Sequence, residues 1–66
     1  MKICDFTKPE LDYFRENCNF VNLEIDVFEM RASGRTLEEI ADTMHISLDY
    51  IRKLSVKVNK KILKVI

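Results

Sequence analysis

The chain has few residues that break or crosslink a backbone. Its 66 residues include one glycine, one proline, two cysteines, one histidine and no tryptophan. So little glycine and proline excludes collagen-like and low-complexity chains, and a hydrophobic content of 47 % excludes a disordered one. A chain of this length forms a single domain, which we assign to residues 1–66. With so few chain breakers, that domain is expected to be rich in helices.

Metal ligands, targeting signals and catalytic motifs are also scarce. Cys4 and Cys18 do not form a C-x-x-C pair, and His45 is the only histidine, so we expect no metal and no cofactor. We interpret both cysteines as small, half-buried apolar residues with reduced thiols. The first 20 residues contain four acids and no unbroken apolar run, which predicts neither a signal peptide nor a membrane span and favours a cytoplasmic protein. No glycine-rich phosphate loop and no nucleophile beside a base is present, so we expect neither an enzyme nor a small-molecule ligand.

Four helices are predicted from capping patterns and apolar periodicity. Thr7 and Thr36 are each followed three residues later by glutamate, which is the spacing of a capping box, and Ser47 is a favourable N-cap. Gly34 is placed to end the second helix. The β-branched residues near the end of the chain have helical rather than alternating spacing, so no strand is expected. The predicted helices run over residues 8–17, from 21 or 22 to 33, from 37 to about 44, and from 48 nearly to 66.

The third and fourth predicted helices, with the short turn between them, form a helix-turn-helix. Apolar residues occupy the positions where two crossing helices interlock, and Ala41 is small where the second backbone approaches. His45 stands at the turn position that usually prefers glycine, and histidine is among the residues enriched at positive φ. A pH switch or a ligand is the alternative role for His45. The interlocking positions are Ile40, Met44, Ile46, Ile51 and Leu54.

Charge is segregated along the chain although its sum is zero. Residues 1–30 hold three basic and seven acidic groups, whereas residues 51–66 hold six basic groups and no acid. Such a distribution favours a polyanion that docks on one side only. The helix dipole also favours lysines near a helix C-terminus, and this is the alternative explanation for Lys60, Lys61 and Lys64. Arg52 and Lys53 lie near the start of the fourth helix, where the dipole disfavours cations, so we ascribe them to phosphate or base contact.

Residues 32–41 show the pattern A-x-G-x-[ST]-x-x-E-I-A, which is followed by a turn, Ile46-Ser47, three variable positions and Ile51. With this pattern, residues 20–62 resemble a LuxR-type helix-turn-helix and the region of bacterial sigma factors that reads the upstream promoter element. The whole chain also resembles small stand-alone helix-turn-helix proteins of Gram-positive bacteria and their phages. The resemblance implies an all-α, four-helix domain, with residues 1–19 as an N-terminal helix extension and residues 20–66 as the helix-turn-helix core and tail. It also implies a sequence-specific transcription regulator without a sensor domain, from a host, a phage or a mobile element.

The resemblance places Arg52 at the basic position used for groove contact, with Lys53 beside it. The family often has threonine where this chain has Tyr50, whose hydroxyl can replace the threonine hydroxyl in a phosphate contact. It often has histidine where this chain has Leu54, so the polar contact at that position is lost. Thr36 and Ser47 lie at helix N-termini, where they either bind phosphate or serve only as caps. Asp49 either accepts from a cytosine amino group or stabilises the positive end of its helix. The predicted contacts with double-stranded DNA are Thr36, Ser47, Asp49, Tyr50, Arg52, Lys53, Lys57, Lys60 and Lys61.

The apolar tail leaves two further alternatives open. Leu63, Val65 and Ile66 either form the seam of a homodimer or pack intramolecularly against Leu11 and Phe14 of the first helix. The chain is also compatible with a protein-interaction module in which Tyr50 and the tail bind RNA polymerase or another regulator. The acidic first half of the chain favours that alternative.

Overall fold

A computed structural model describes residues 2–66. A short 3-10 helix, Ile3–Asp5, precedes four α-helices: α1 (Lys8–Asn17), α2 (Leu23–Ala32), α3 (Leu37–Met44) and α4 (Leu48–Val65). No strand occurs in the described part of the chain, and the predicted all-α class is confirmed. The bounds of α2 differ by one or two residues from those predicted, and at its start Asn22 has a φ of 50°, which is not a helical value.

Helix ends follow the capping patterns of the sequence. In α1 and α3 a threonine hydroxyl accepts the backbone N–H of a glutamate, whose carboxylate accepts the backbone N–H of the threonine. The two pairs are Thr7–Glu10 and Thr36–Glu39. After α2, Gly34 has a φ of 92°, a left-handed value that glycine adopts without steric cost.

One hydrophobic core joins the N-terminal segment to the helices that follow. Because Ile3, Phe14 and Cys18 lie in it, the predicted N-terminal extension is an integral part of the packing. The ring of Phe20 packs on that of Phe28, with centroids 4.7 Å apart. The buried core residues are Ile3, Phe14, Cys18, Val27, Phe28, Ile40, Ile51, Leu54, Val58 and Ile62.

Arg15 connects α1 to α2 through a bidentate ion pair. Its Nε and a terminal nitrogen donate to the two carboxylate oxygens of Glu29 at 2.6 and 2.7 Å, and its other terminal nitrogen donates to Asp12 at 2.6 Å. The guanidinium also lies 5.6 Å from the ring centre of Phe28. The hydrogen bond from Arg15 lowers the pKa of Glu29. Because these groups are partly exposed, the pair fixes the orientation of α1 more than it adds to stability.

The two cysteines have different environments, so the expectation that both are half-buried is wrong. Cys4 is exposed in the 3-10 helix, whereas Cys18 is buried at the end of α1. Both are free thiols. Burial raises the pKa of the Cys18 thiol, which favours its protonated form.

Candidate nucleic-acid interface

A three-residue turn sets α4 against α3. His45 adopts the left-handed conformation with φ 56° and ψ 41°, as its position in the sequence predicts. The backbone N–H of His45 donates to Asp42, and that of Ile46 donates to Ala41, which closes α3 in a Schellman arrangement. Ser47 then begins α4, and its hydroxyl accepts the backbone N–H of Tyr50 at 3.3 Å.

The two sides of α4 differ sharply in burial. Ile51, Val58 and Ile62 are fully buried and Leu54 nearly so, because they recur on the side that packs against α2 and α3. The opposite side is exposed. It carries Val56 together with six of the residues that the sequence predicts to contact DNA: Asp49, Tyr50, Arg52, Lys53, Lys57 and Lys60.

Asp49 is the only acidic residue on this exposed face. Its carboxylate lies 3.6 Å from the Arg52 guanidinium, one turn along the helix, and both side chains are mostly exposed. Within the described residues, Asp49 accepts no backbone N–H of the first turn, since Ser47 provides the cap. The contact of Asp49 within α4 is therefore its ion pair with Arg52, which is too exposed to be strong.

Lys61 does not lie with the other predicted contacts. Its ammonium is 2.5 Å from a carboxylate oxygen of Glu24 and 3.1 Å from the carbonyl oxygen of Asn19. Glu24 is only 6 % exposed, and the hydrogen bond from Lys61 lowers its pKa against the opposing effect of burial. Lys61 thus neutralises a buried carboxylate at the start of α2, and we leave it out of the candidate interface.

Thr36 and Ser47 differ in what they can offer to a phosphate. The backbone N–H of Thr36 donates to Glu39, whose pKa is lowered by that bond, so a carboxylate already occupies this helix N-terminus. The Ser47 hydroxyl accepts one hydrogen bond and its own proton remains available as a donor. We therefore retain Ser47 in the interface and leave Thr36 out.

The three apolar residues of the tail are split between the core and the surface. Val65 is half-buried and packs against the core, as the intramolecular alternative predicts. Leu63 and Ile66 remain 62 % and 74 % exposed. A shallow apolar groove, lined by Phe6, Tyr13, Phe14, Val65 and Ile66, separates the start of α1 from the end of α4.

The sequence analysis did not predict the two ion pairs between helices, and only the pair of Glu24 and Lys61 had a partial signal. Glu24 falls among the apolar positions of α2, which indicates a buried carboxylate in need of a cation. The choice of Lys61 among six basic residues requires the tertiary fold. The pairing of Arg15 with Glu29 depends on how α1 lies across α2, which local periodicity does not determine.

No helix among residues 2–66 is long and apolar enough to cross a bilayer. In the same residues, no group of three or more histidine, cysteine or acidic side chains is placed to hold a metal ion. No protein-family model, curated protein or solved structure matches the chain.

Proposed function

We propose that the chain is a DNA-binding protein that places the exposed face of α4 in the major groove and acts in transcription. The supporting observation is the charge of that face. Among the described residues, Lys53, Lys57, Lys60 and Lys64 form no ion pair, although the rest of the domain is rich in acids. Unpaired lysines on one helix form a positive strip that suits a phosphate backbone.

The helix geometry favours groove contact over a simple charged surface. An α-helix with its side chains is about 10–12 Å across, which matches the width of the major groove. The buried side of α4 is held by α2 and α3, so the basic side projects from the domain as one rigid element. Arg52 is the residue on that side with a geometry suited to guanine, and the lysines are suited to phosphates.

The test is fluorescence anisotropy of the chain with a labelled duplex over a range of salt concentrations. Each phosphate neutralised contributes about −0.9 to the slope of log affinity against log salt. The Lys53→Ala/Lys57→Ala variant should lower affinity and reduce the magnitude of the slope by about 2. The matched control, Lys2→Ala/Lys8→Ala, removes two lysines outside α4 and should bind as the parent does.

A protein-interaction module is the second candidate, and the exposure of Leu63 and Ile66 favours it. In that case RNA polymerase or another regulator binds the tail, and the lysines only increase solubility. Absence of duplex binding at low salt, with helicity retained in circular dichroism, would reject DNA binding and favour this candidate.

A further inference from the structure

Val56 is an apolar residue in the middle of the basic face of α4. Its side chain is 51 % exposed, whereas Val58, two positions later, is fully buried. Val56 also lines a shallow depression with Tyr50, Lys53 and Lys57, so its methyl groups form part of a surface with a cationic rim. Burial in the core therefore does not account for a valine at this position.

The depression combines two chemical properties that suit the edge of one base. The lysines that line it attract phosphates, and the exposed valine between them has no hydrogen-bonding group. Thymine is the one base that presents a methyl group in the major groove. The other bases have no methyl group there, so a valine beside them would dehydrate polar atoms without gaining an apolar contact.

Resting on the proposed function, we propose that Val56 contacts the C5 methyl group of a thymine and thereby specifies that base. Val56 follows Arg52 by four residues, a rise of about 6 Å along the helix. Successive base pairs are separated by about 3.4 Å. The thymine is therefore expected within a few base pairs of the base that Arg52 contacts.

The experiment begins by selecting preferred duplexes from a random library with the full chain. Each thymine of the preferred sequence is then replaced by deoxyuridine, which pairs in the same way but lacks the methyl group. At one position this replacement should weaken binding about fourfold, the value expected for one buried methyl group. The Val56→Ala variant should bind the thymine and uracil duplexes equally.

The matched control is Ile25→Ala, which trims an apolar residue of similar exposure on α2, outside this face. It should retain the full sensitivity to uracil. The proposal for Val56 is overturned if no thymine position is sensitive, or if Val56→Ala remains as sensitive as the parent, while duplex binding persists. Absence of binding to any duplex in low salt would instead overturn the proposed function.

Discussion

The ammonium of Lys61 lies 2.5 Å from the carboxylate of Glu24, which joins the C-terminal half of α4 to the start of α2. Lys61 also donates to the carbonyl oxygen of Asn19, a residue held in the left-handed conformation at a φ of 52°. This contact lies on the side of α4 opposite to Arg52 and Val56. The orientation of the candidate interface thus depends on an ion pair that does not belong to it.

Removal of either partner of this pair should destabilise the domain. Glu24→Gln and Lys61→Met should each lower the free energy of unfolding by about 2 kcal/mol, because each leaves a partly buried charge unpaired. The control is Lys60→Met, which makes the same change at an exposed neighbour and should shift stability by less than about 0.5 kcal/mol. Urea denaturation measures all three. Equal effects of Lys61→Met and Lys60→Met would contradict a structural role for the pair.

Acid should destabilise the domain by protonating three glutamates that are hydrogen-bonded in the fold. The pKa of Glu24 is lowered by Lys61, that of Glu29 by Arg15, and that of Glu39 by the backbone N–H of Thr36. A carboxyl group whose pKa is lower in the folded state than in the unfolded state stabilises the fold when the pH is above the unfolded-state pKa. That contribution is lost as the pH falls through the folded-state pKa.

The free energy of unfolding should therefore decrease as the pH falls below the ordinary glutamate value of 4.5. In the Glu24→Gln/Glu29→Gln variant the decrease should be smaller, although the variant is less stable at neutral pH. Denaturation at a series of pH values measures both effects. An acid-induced loss of the same size in the variant would show that other groups are responsible.

Helix bounds were predictable because their signals are local. The capping boxes at Thr7 and Thr36, and the left-handed residues Gly34 and His45, each act within a few positions of the chain. The exposed and buried sides of α4 were predictable for the same reason, since they follow from the helical period.

Partners distant in sequence were less predictable. Lys61 differs from Lys60 by one position, yet a rotation of 100° around α4 directs it toward Glu24. Val65 and Ile66 differ in the same way, and only the placement of α1 determines that Val65 reaches the core. The sequence thus predicted which face of α4 is exposed. Tertiary contacts decide which residues at the edge of that face, such as Lys61, belong to the candidate interface.

His45 provides a test of the turn between α3 and α4. A non-glycine residue at a φ of 56° carries a steric cost of about 1 kcal/mol relative to glycine. His45→Gly should raise the free energy of unfolding by about that amount, and the melting temperature by about 4–8 °C for a domain of this size. The converse control is Gly34→Ala, which places a side chain at a φ of 92° and should destabilise. A loss of stability in His45→Gly would indicate that the imidazole contributes more than a turn conformation.

Substitutions in the tail should distinguish residues that pack in the core from residues that form a dimer seam. Val65→Asp places a charge against the core and should lower the free energy of unfolding by about 2 kcal/mol. Leu63→Asp changes an exposed side chain and should leave the stability of a monomer within about 0.5 kcal/mol of the parent. Sedimentation equilibrium at several protein concentrations reports the oligomeric state. A dimer that dissociates in Leu63→Asp would show that the exposed part of the tail forms the seam, and a monomer at every concentration would reject the dimer.

Arg52 and Lys60 should contribute differently to DNA binding, although both are exposed cations on one helix face. A guanidinium can donate two parallel hydrogen bonds to guanine, which discriminates against other bases by about 1–3 kcal/mol, whereas a lysine ammonium mainly neutralises phosphate. Arg52→Ala should therefore relax sequence preference, and Lys60→Ala should weaken binding to all duplexes by a similar factor.

Arg52→Lys is the decisive control for this difference, because it keeps the charge and removes the paired donors. It should retain the salt dependence of the parent and lose the preference for guanine. Binding of each variant to preferred and scrambled duplexes, by anisotropy at several salt concentrations, measures both quantities. If Arg52→Lys keeps the full preference, Arg52 contacts a phosphate, and the base contacts of α4 belong to other residues of the face.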